Sequence, residues 1–333
     1  MHKNNLFRLI ACIAAYLGLW LLVPKAEFLP QLVNIASAII PFTHGSIASG
    51  LHFLIAAAMV APTVAFMAIS IAIIYFFASL KLNYKQSLLS IFLCIASVLG
   101  LIAIVIWQMQ IVSKIGHYPN LNEHLYIMAH YYGPLKMPIS VLLMLAAASI
   151  GYTVSLRVTD KNLLLPVVMF AAYIDFWTVT QGPVASALKH APNVVNAVSA
   201  PIPQVGAGAF VPSTVMGPGD SLFMALVFAA VIRYKMNGPR NYLFVFLFMT
   251  VGMLVVMSGL LSSLPALVLL AMAVVAANWR EFTLSRQEKI SILIVAVLLF
   301  GSLPLVWSLF KSSAEKGMKA HGKPALSAPV NRK

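Results

Sequence analysis

In this chain of 333 residues 61% are hydrophobic and 9% charged, and the mean hydropathy is +0.92. A soluble globule is excluded, because about a quarter of its residues would be charged. The net charge of +14 does not point to nucleic acid, since Lys and Arg fall in short hydrophilic breaks and in the tail, where membrane topology places them.

The expected fold is therefore all-α, a polytopic transmembrane helical bundle of about 8–9 spans. Cys12 and Cys94 both lie in apolar runs, so neither a disulfide framework nor a Cys-based metal site has the residues it needs. No pattern calls for a cofactor or a metal, and the absence of any Asn-X-Ser/Thr sequon favours a bacterial inner membrane.

The amino-terminal segment, MHKNNLFRLIACIAAYLGLWLLVP, has a basic end and an apolar run with no small-X-small cleavage site after it, and reads as a retained first span. Residues 27–43 are apolar but short and bracketed by Pro30 and Pro41, which suggests an interfacial or re-entrant helix. Spans are expected at about 49–79 and 87–112, the first with a tilt or kink at Pro62. The break that follows holds Glu123, His117, His124 and His130, whose spacing fits no strong metal-ligand pattern and whose tyrosine neighbours suit a membrane interface.

Further spans are expected at about 138–156 and 163–181. Between 182 and 217 the repeated Pro and Gly break any continuous helix, as in a re-entrant or substrate-contacting element. Apolar segments at about 218–234, 241–260, 264–277 and 289–309 complete the set, and the basic tail 311–333 has a disordered composition. This divides the chain into an N-terminal scaffold, 1–162; a core, 163–277; a C-terminal span, 278–310; and the tail.

With the amino terminus cytoplasmic, Lys3, Arg8, Lys81, Lys85, Arg157, Lys161, Arg233, Lys235, Arg240, Arg280, Arg286 and Lys289 all fall on the inner side. Lys25, Lys114, Lys136 and Lys189 fall outside, together with the 182–217 segment. A full crossing at 289–309 would carry the basic tail outside as well, against the same rule.

Six of the eight acidic residues sit in breaks or in the tail; the exceptions are Asp175 and Asp220, each inside an apolar segment. A lone carboxylate in hydrocarbon is costly, so two of them suggest a pair or a wet cavity. They are 45 residues apart, enough for the rest of one span, an outer loop and a return, so adjacent antiparallel helices can bring them to similar depth. Carboxylates that close share one proton, and such a pair can take a proton from water while donating one to a carbonyl oxygen. Gly217 and Gly219 around Pro218 remove side-chain bulk and let another backbone approach Asp220, which Pro218 places in a helix's first turn. By itself GPGD is also an ordinary Pro-Gly helix start with a capping Asp. Pro265, Ala266 and Leu267 open a later apolar segment; the same triplet at Pro324 lacks membrane context.

Tyr173-Ile174-Asp175, Gly217-Pro218-Gly219-Asp220 and Pro265-Ala266-Leu267, in that order on three membrane segments, resemble the GxGD intramembrane aspartyl proteases, the presenilin and signal peptide peptidase family. The resemblance covers residues 163–277 and is nearer the signal peptide peptidase branch, given Asp175-Phe176-Trp177 and an outer 182–217 loop. It implies a presenilin-like bundle, Asp175 and Asp220 as the catalytic dyad, and transmembrane peptides or proteins in the bilayer as substrates. Pro265, Ala266 and Leu267 would shape the site and hold an extended substrate. Two departures stand out. Tyr173 precedes Asp175 by two residues rather than one, about 200° around a helix. Pro218 occupies a position where the family usually has another apolar residue. The alternative function is a proton- or cation-coupled transporter using the same Asp pair at a midplane ion site, although no repeat relates the two halves. A prepilin peptidase would need a soluble Asp-bearing loop, and a rhomboid-like enzyme a Gly-X-Ser-X-Gly, and neither is present.

Overall fold

The computed structural model describes residues 2–22, 46–112, 133–180, 200–202, 214–257, 264–297 and 301. Helices occupy the segments expected to be spans: α1 (His2–Leu22), α2 (Ser46–Ala78), α3 (Tyr84–Val112), α4 (Gly133–Ser155), α5 (Leu164–Thr180), α6 (Pro218–Arg233), α7 (Gly238–Met257), α8 (Ala266–Asn278) and α9 (286–297). In lipid, helices satisfy every backbone group internally, which is why apolar runs of this length take that form. A single 3-10 turn, Lys161–Leu163, leads into α5, with the Asp160 carboxylate accepting the Asn162 N–H at its start. The segment at 27–43, the His-bearing break at 113–132 and the tail with Pro324 lie outside the described residues.

Among the described residues six helices carry stretches long and apolar enough to cross a membrane: Asn4–Leu22, Val60–Ala78, Tyr84–Ile104, Met137–Ser155, Lys161–Thr180 and Gly238–Val256. The chain is thus built as a helical integral membrane protein. α6 and α8 are shorter, at 16 and 13 residues. At 1.5 Å per residue they reach roughly 24 and 20 Å, against a hydrocarbon core of about 30 Å.

α6 is the centre of the bundle and packs against α2, α4, α5, α7 and α8. Met224, Ala225, Val227, Phe228, Ala230 and Val231 bury every side of it, the signature of a helix that is apolar all round. Its most extensive contact is with α4, where a Cβ on Gly151 would lie 2.8 Å from the Leu222 carbonyl carbon; only glycine lets the two backbones approach so closely. α3 sits at the edge, exposing Leu88, Leu89, Phe92 and Leu93. It is held to α4 by a hydroxyl seam in which Ser87 Oγ meets Thr153 Oγ1 at 2.6 Å and Ser90 Oγ meets Ser149 Oγ at 2.9 Å.

The turns rich in Lys and Arg gather at one end of the bundle. The Arg8 guanidinium lies 5.9 Å over the Phe76 ring, joining the start of α1 to the end of α2. The Tyr152 hydroxyl at the end of α4 donates to the Leu82 carbonyl in the α2–α3 turn at 2.9 Å. The Tyr234 hydroxyl after α6 donates to the Val158 carbonyl after α4 at 2.6 Å. Asn162 Nδ2 reaches the Thr283 carbonyl at 3.1 Å, and Arg240 pairs with Glu281 at 3.5 Å, tying in the α8–α9 turn. The helix ends and turns that carry the twelve Lys and Arg residues assigned to one side by alternate breaks are therefore at one end of the molecule, while position 136 belongs to the first turn of α4, at its other end.

Within the Pro- and Gly-rich 182–217 segment, β1 (Ala200–Ile202) pairs antiparallel with β2 (Thr214–Met216), Ala200 opposite Met216, and β2 runs directly into Gly217.

Candidate active site

α8 starts without a side chain able to cap it. Its N-cap residue is Pro265, extended at φ −65° and ψ 115°, so the first N–H groups of α8 need an acceptor from elsewhere. Asp175 supplies one: the Leu267 N–H donates to Asp175 Oδ2 at 2.9 Å. The contact arises because α5 and α8 pack side by side. Asp175 is partly buried, between the exposed Ile174 and Phe176 on one side and the buried Trp177 on the other.

α6 starts differently. Gly217 is its N-cap, at φ −67° and ψ 152°, Pro218 takes the first helical position, and Asp220 takes the third. The Gly217 N–H donates to Asp220 Oδ2 at 3.0 Å. This is half of a capping box, since glycine has no side chain to return the bond. A Cβ at 217 would lie 3.2 Å from Asp220 Oδ2, whereas one at 219 would meet no atom of the described residues within 4 Å. Gly217 thus makes room for the carboxylate, and Gly219 borders space that none of the described residues fills.

The two carboxylates stand on neighbouring helices. α5, α6 and α8 touch each other pairwise, so the helices that bear Asp175 and Asp220 both meet the helix that Leu267 opens. Asp175 is eleven residues from the start of α5, Asp220 thirteen from the end of α6, and Leu267 eleven from the end of α8. At 1.5 Å per residue all three lie about 17–20 Å along their helices from the cation-bearing end, less than the roughly 30 Å thickness of a hydrocarbon core. Each carboxylate commits Oδ2 to a helix terminus, while Oδ1 of each makes no hydrogen bond among the described residues. Two such groups, each anchored by one oxygen, are a chemical set able to exchange a proton with a water between them.

Pro265 and Ala266 stand with Leu267 at the start of α8, beside Asp175. The Tyr173 ring packs edge-on against Trp177, centroids 6.4 Å apart. The described residues contain no group of three or more His, Cys, Asp or Glu placed to hold a metal ion. The sequence reading missed the capping of α8 by Asp175, although the signal was there: a helix opened by Pro265 lacks its own cap. It also missed the amide pair that sets the other end of α8. Asn241 Nδ2 donates to Asn278 Oδ1 at 2.8 Å and Asn278 Nδ2 to Asn241 Oδ1 at 2.6 Å, both residues fully buried. Set against protein-family models, characterised proteins and solved structures, the chain matches none of them.

Proposed function

We propose that the protein is an intramembrane aspartyl protease that cuts transmembrane helices, such as remnant signal peptides, with Asp175 and Asp220 activating water. The observation that carries this reading is the hydrogen bond from Leu267 N–H to Asp175, because it joins the third of the separate motifs to the first, beside the helix that bears the second. One carboxylate takes a proton from water as it attacks the peptide carbonyl, and the other donates toward the developing oxyanion. Gly219 leaves space for a substrate backbone, and the start of α8 holds that backbone extended. The short ribbon leading into Gly217 ends where an extended chain would have to lie.

In this reading the bundle is presenilin-like and has about 8–9 spans, with α6 and α8 counted among them despite their length, because both begin at the depth of the site. The cation-bearing face is cytoplasmic, the amino terminus lies on it, and the membrane is a bacterial inner membrane.

The test is incubation of purified protein in detergent with a synthetic signal peptide, with products read by mass spectrometry, for wild type and Asp220→Ala. Internal cleavage that disappears in the variant supports the proposal. The transporter reading, which the mid-membrane starts of α6 and α8 also suit, predicts proton-coupled solute flux in liposomes and an intact peptide.

A further inference from the structure

At the cation-bearing end a cavity of about 270 Å³ opens between the ends of α2, α4 and α6. Lys81, Arg233 and Lys235 line it together with Tyr152 and Ser155. Its size is near the lower end of small-molecule sites, about 300–1,000 Å³, and suits a headgroup better than a large ligand. We propose that this cavity binds the phosphodiester headgroup of an anionic phospholipid. The proposal does not depend on the hydrolase reading.

Charge balance is the first support. Three helices end at the cavity, α2 at Ala78, α4 at Ser155 and α6 at Arg233. Each C-terminus contributes about −0.5 of a charge, about −1.5 in all, against three full positive charges. Arg233 already donates to the Ser155 carbonyl, and the Tyr152 hydroxyl is engaged by Leu82. None of the three cations pairs with a carboxylate among the described residues, where the ion pair formed is Arg240–Glu281. A positive excess of about 1.5 charges is left for an anion to neutralise.

Backbone conformation is the second, independent support. Lys81 and Lys235 have φ of 52° and 57°, and they are the non-glycine residues with positive φ among those described. The left-handed region is unfavourable for a lysine, whereas Gly or Asn enters it readily. Turn geometry alone would select Gly or Asn, yet both turns bordering the cavity hold a cation there. Such strain is expected where side-chain chemistry decides the residue. The location favours a lipid over a free anion: the cavity sits where headgroups lie, and Ala229 and Ile232 give it an apolar wall beside the cations.

The experiment titrates the full-length protein in neutral detergent with phosphatidylglycerol, phosphatidylcholine or inorganic phosphate, reading bound lipid by native mass spectrometry and thermal stability alongside. Lys81→Asn with Lys235→Asn removes two charges while suiting the positive φ. At the usual contribution of one basic residue near an anionic membrane, affinity for phosphatidylglycerol should fall roughly fivefold per charge and roughly 25-fold for both. Arg280→Gln with Lys289→Gln, on the same face but outside the cavity, should leave it unchanged. The proposal is overturned if phosphatidylcholine binds as well as phosphatidylglycerol, or if the Lys81/Lys235 variant binds like wild type. It is also overturned if the Arg280/Lys289 variant loses as much, which would mean diffuse surface charge, or if inorganic phosphate displaces the lipid, which would mean a soluble-anion site. Should the double variant fail to fold, Lys81→Asn alone applies the same criteria with a roughly fivefold loss expected.

Discussion

Gly217 and Gly219 flank the same proline, yet replacing each by Ala should have opposite effects on stability. At Gly217 the backbone angles of −67° and 152° are open to any residue, so the backbone does not resist Ala. The new Cβ, however, would lie 3.2 Å from Asp220 Oδ2 and 3.8 Å from its Cγ. The carboxylate must turn by a few tenths of an ångström, which stretches its 3.0 Å bond from the Gly217 N–H. An off-rotamer side chain costs about 0.5–1.5 kcal/mol, and partial loss of a hydrogen bond adds a fraction of about 1 kcal/mol, so Gly217→Ala should destabilise by about 1–2 kcal/mol. A displacement of about 1 Å in a reacting group costs about a hundredfold in rate, so a shift of this smaller size should slow cleavage roughly tenfold. Gly219 has no atom of the described residues within 4 Å of its would-be Cβ and lies inside α6. Ala there should raise stability by up to about 1 kcal/mol through helix propensity, while the methyl narrows the substrate's approach and lowers cleavage. Thermal unfolding in detergent and the cleavage rate of a synthetic signal peptide measure both effects. Unchanged cleavage in Gly217→Ala, or destabilisation in Gly219→Ala, would refute the assignment of these roles.

Asn278→Leu should destabilise by about 1–3 kcal/mol, because it strips partners from the fully buried Asn241 amide; adding Asn241→Leu should recover part of that loss, as read by SDS titration of helicity. Gly151→Ala should cost more than about 2 kcal/mol, since its methyl runs into the Leu222 backbone and α4 and α6 must part; the same titration checks it. Glu288 accepts the Ser285 N–H at 2.6 Å and the Asn162 amide at 3.1 Å, and these bonds, those from Ser285 foremost, hold its carboxyl below the ordinary value of 4.5. A lowered folded-state value means the stabilisation is complete above 4.5 and is lost as pH falls through the folded value. Glu288→Gln should therefore weaken the α8–α9 junction at neutral pH and leave it nearly unaffected in acid, measured by amide hydrogen exchange at Ser285.

Hydropathy made the helices legible, because an apolar run of about 20 residues has few alternatives in a membrane. The expected segment at 138–156 contains most of α4, and that at 163–181 brackets α5. The cation-bearing face was also legible, since alternation of Lys and Arg along the chain maps directly onto alternate ends of antiparallel helices. What escaped is tertiary. Asp175 capping α8 depends on which helix lies beside α5, and no local pattern encodes that. Asn241 and Asn278 each look like a polar residue at a span end until packing buries them against one another. The β1–β2 ribbon lies in a Pro- and Gly-rich stretch with no alternating pattern to announce it. The cavity is assembled from turns far apart in sequence, and Lys81 and Lys235 reveal their conformation only in the folded backbone.

The central claim, that Asp175 and Asp220 act as one proton-sharing unit, is tested most directly by the rate of signal-peptide cleavage against pH for wild type, Asp175→Asn and Asp220→Asn. An amide oxygen can still accept the N–H of Leu267 or Gly217, so both variants should stay folded, with unfolding midpoints close to wild type. Neither can cycle a proton, so each should lose cleavage entirely, while wild type shows a bell-shaped profile whose two limbs belong to the pair. Cleavage persisting in either folded variant, or a wild-type profile with a single limb, would contradict the account.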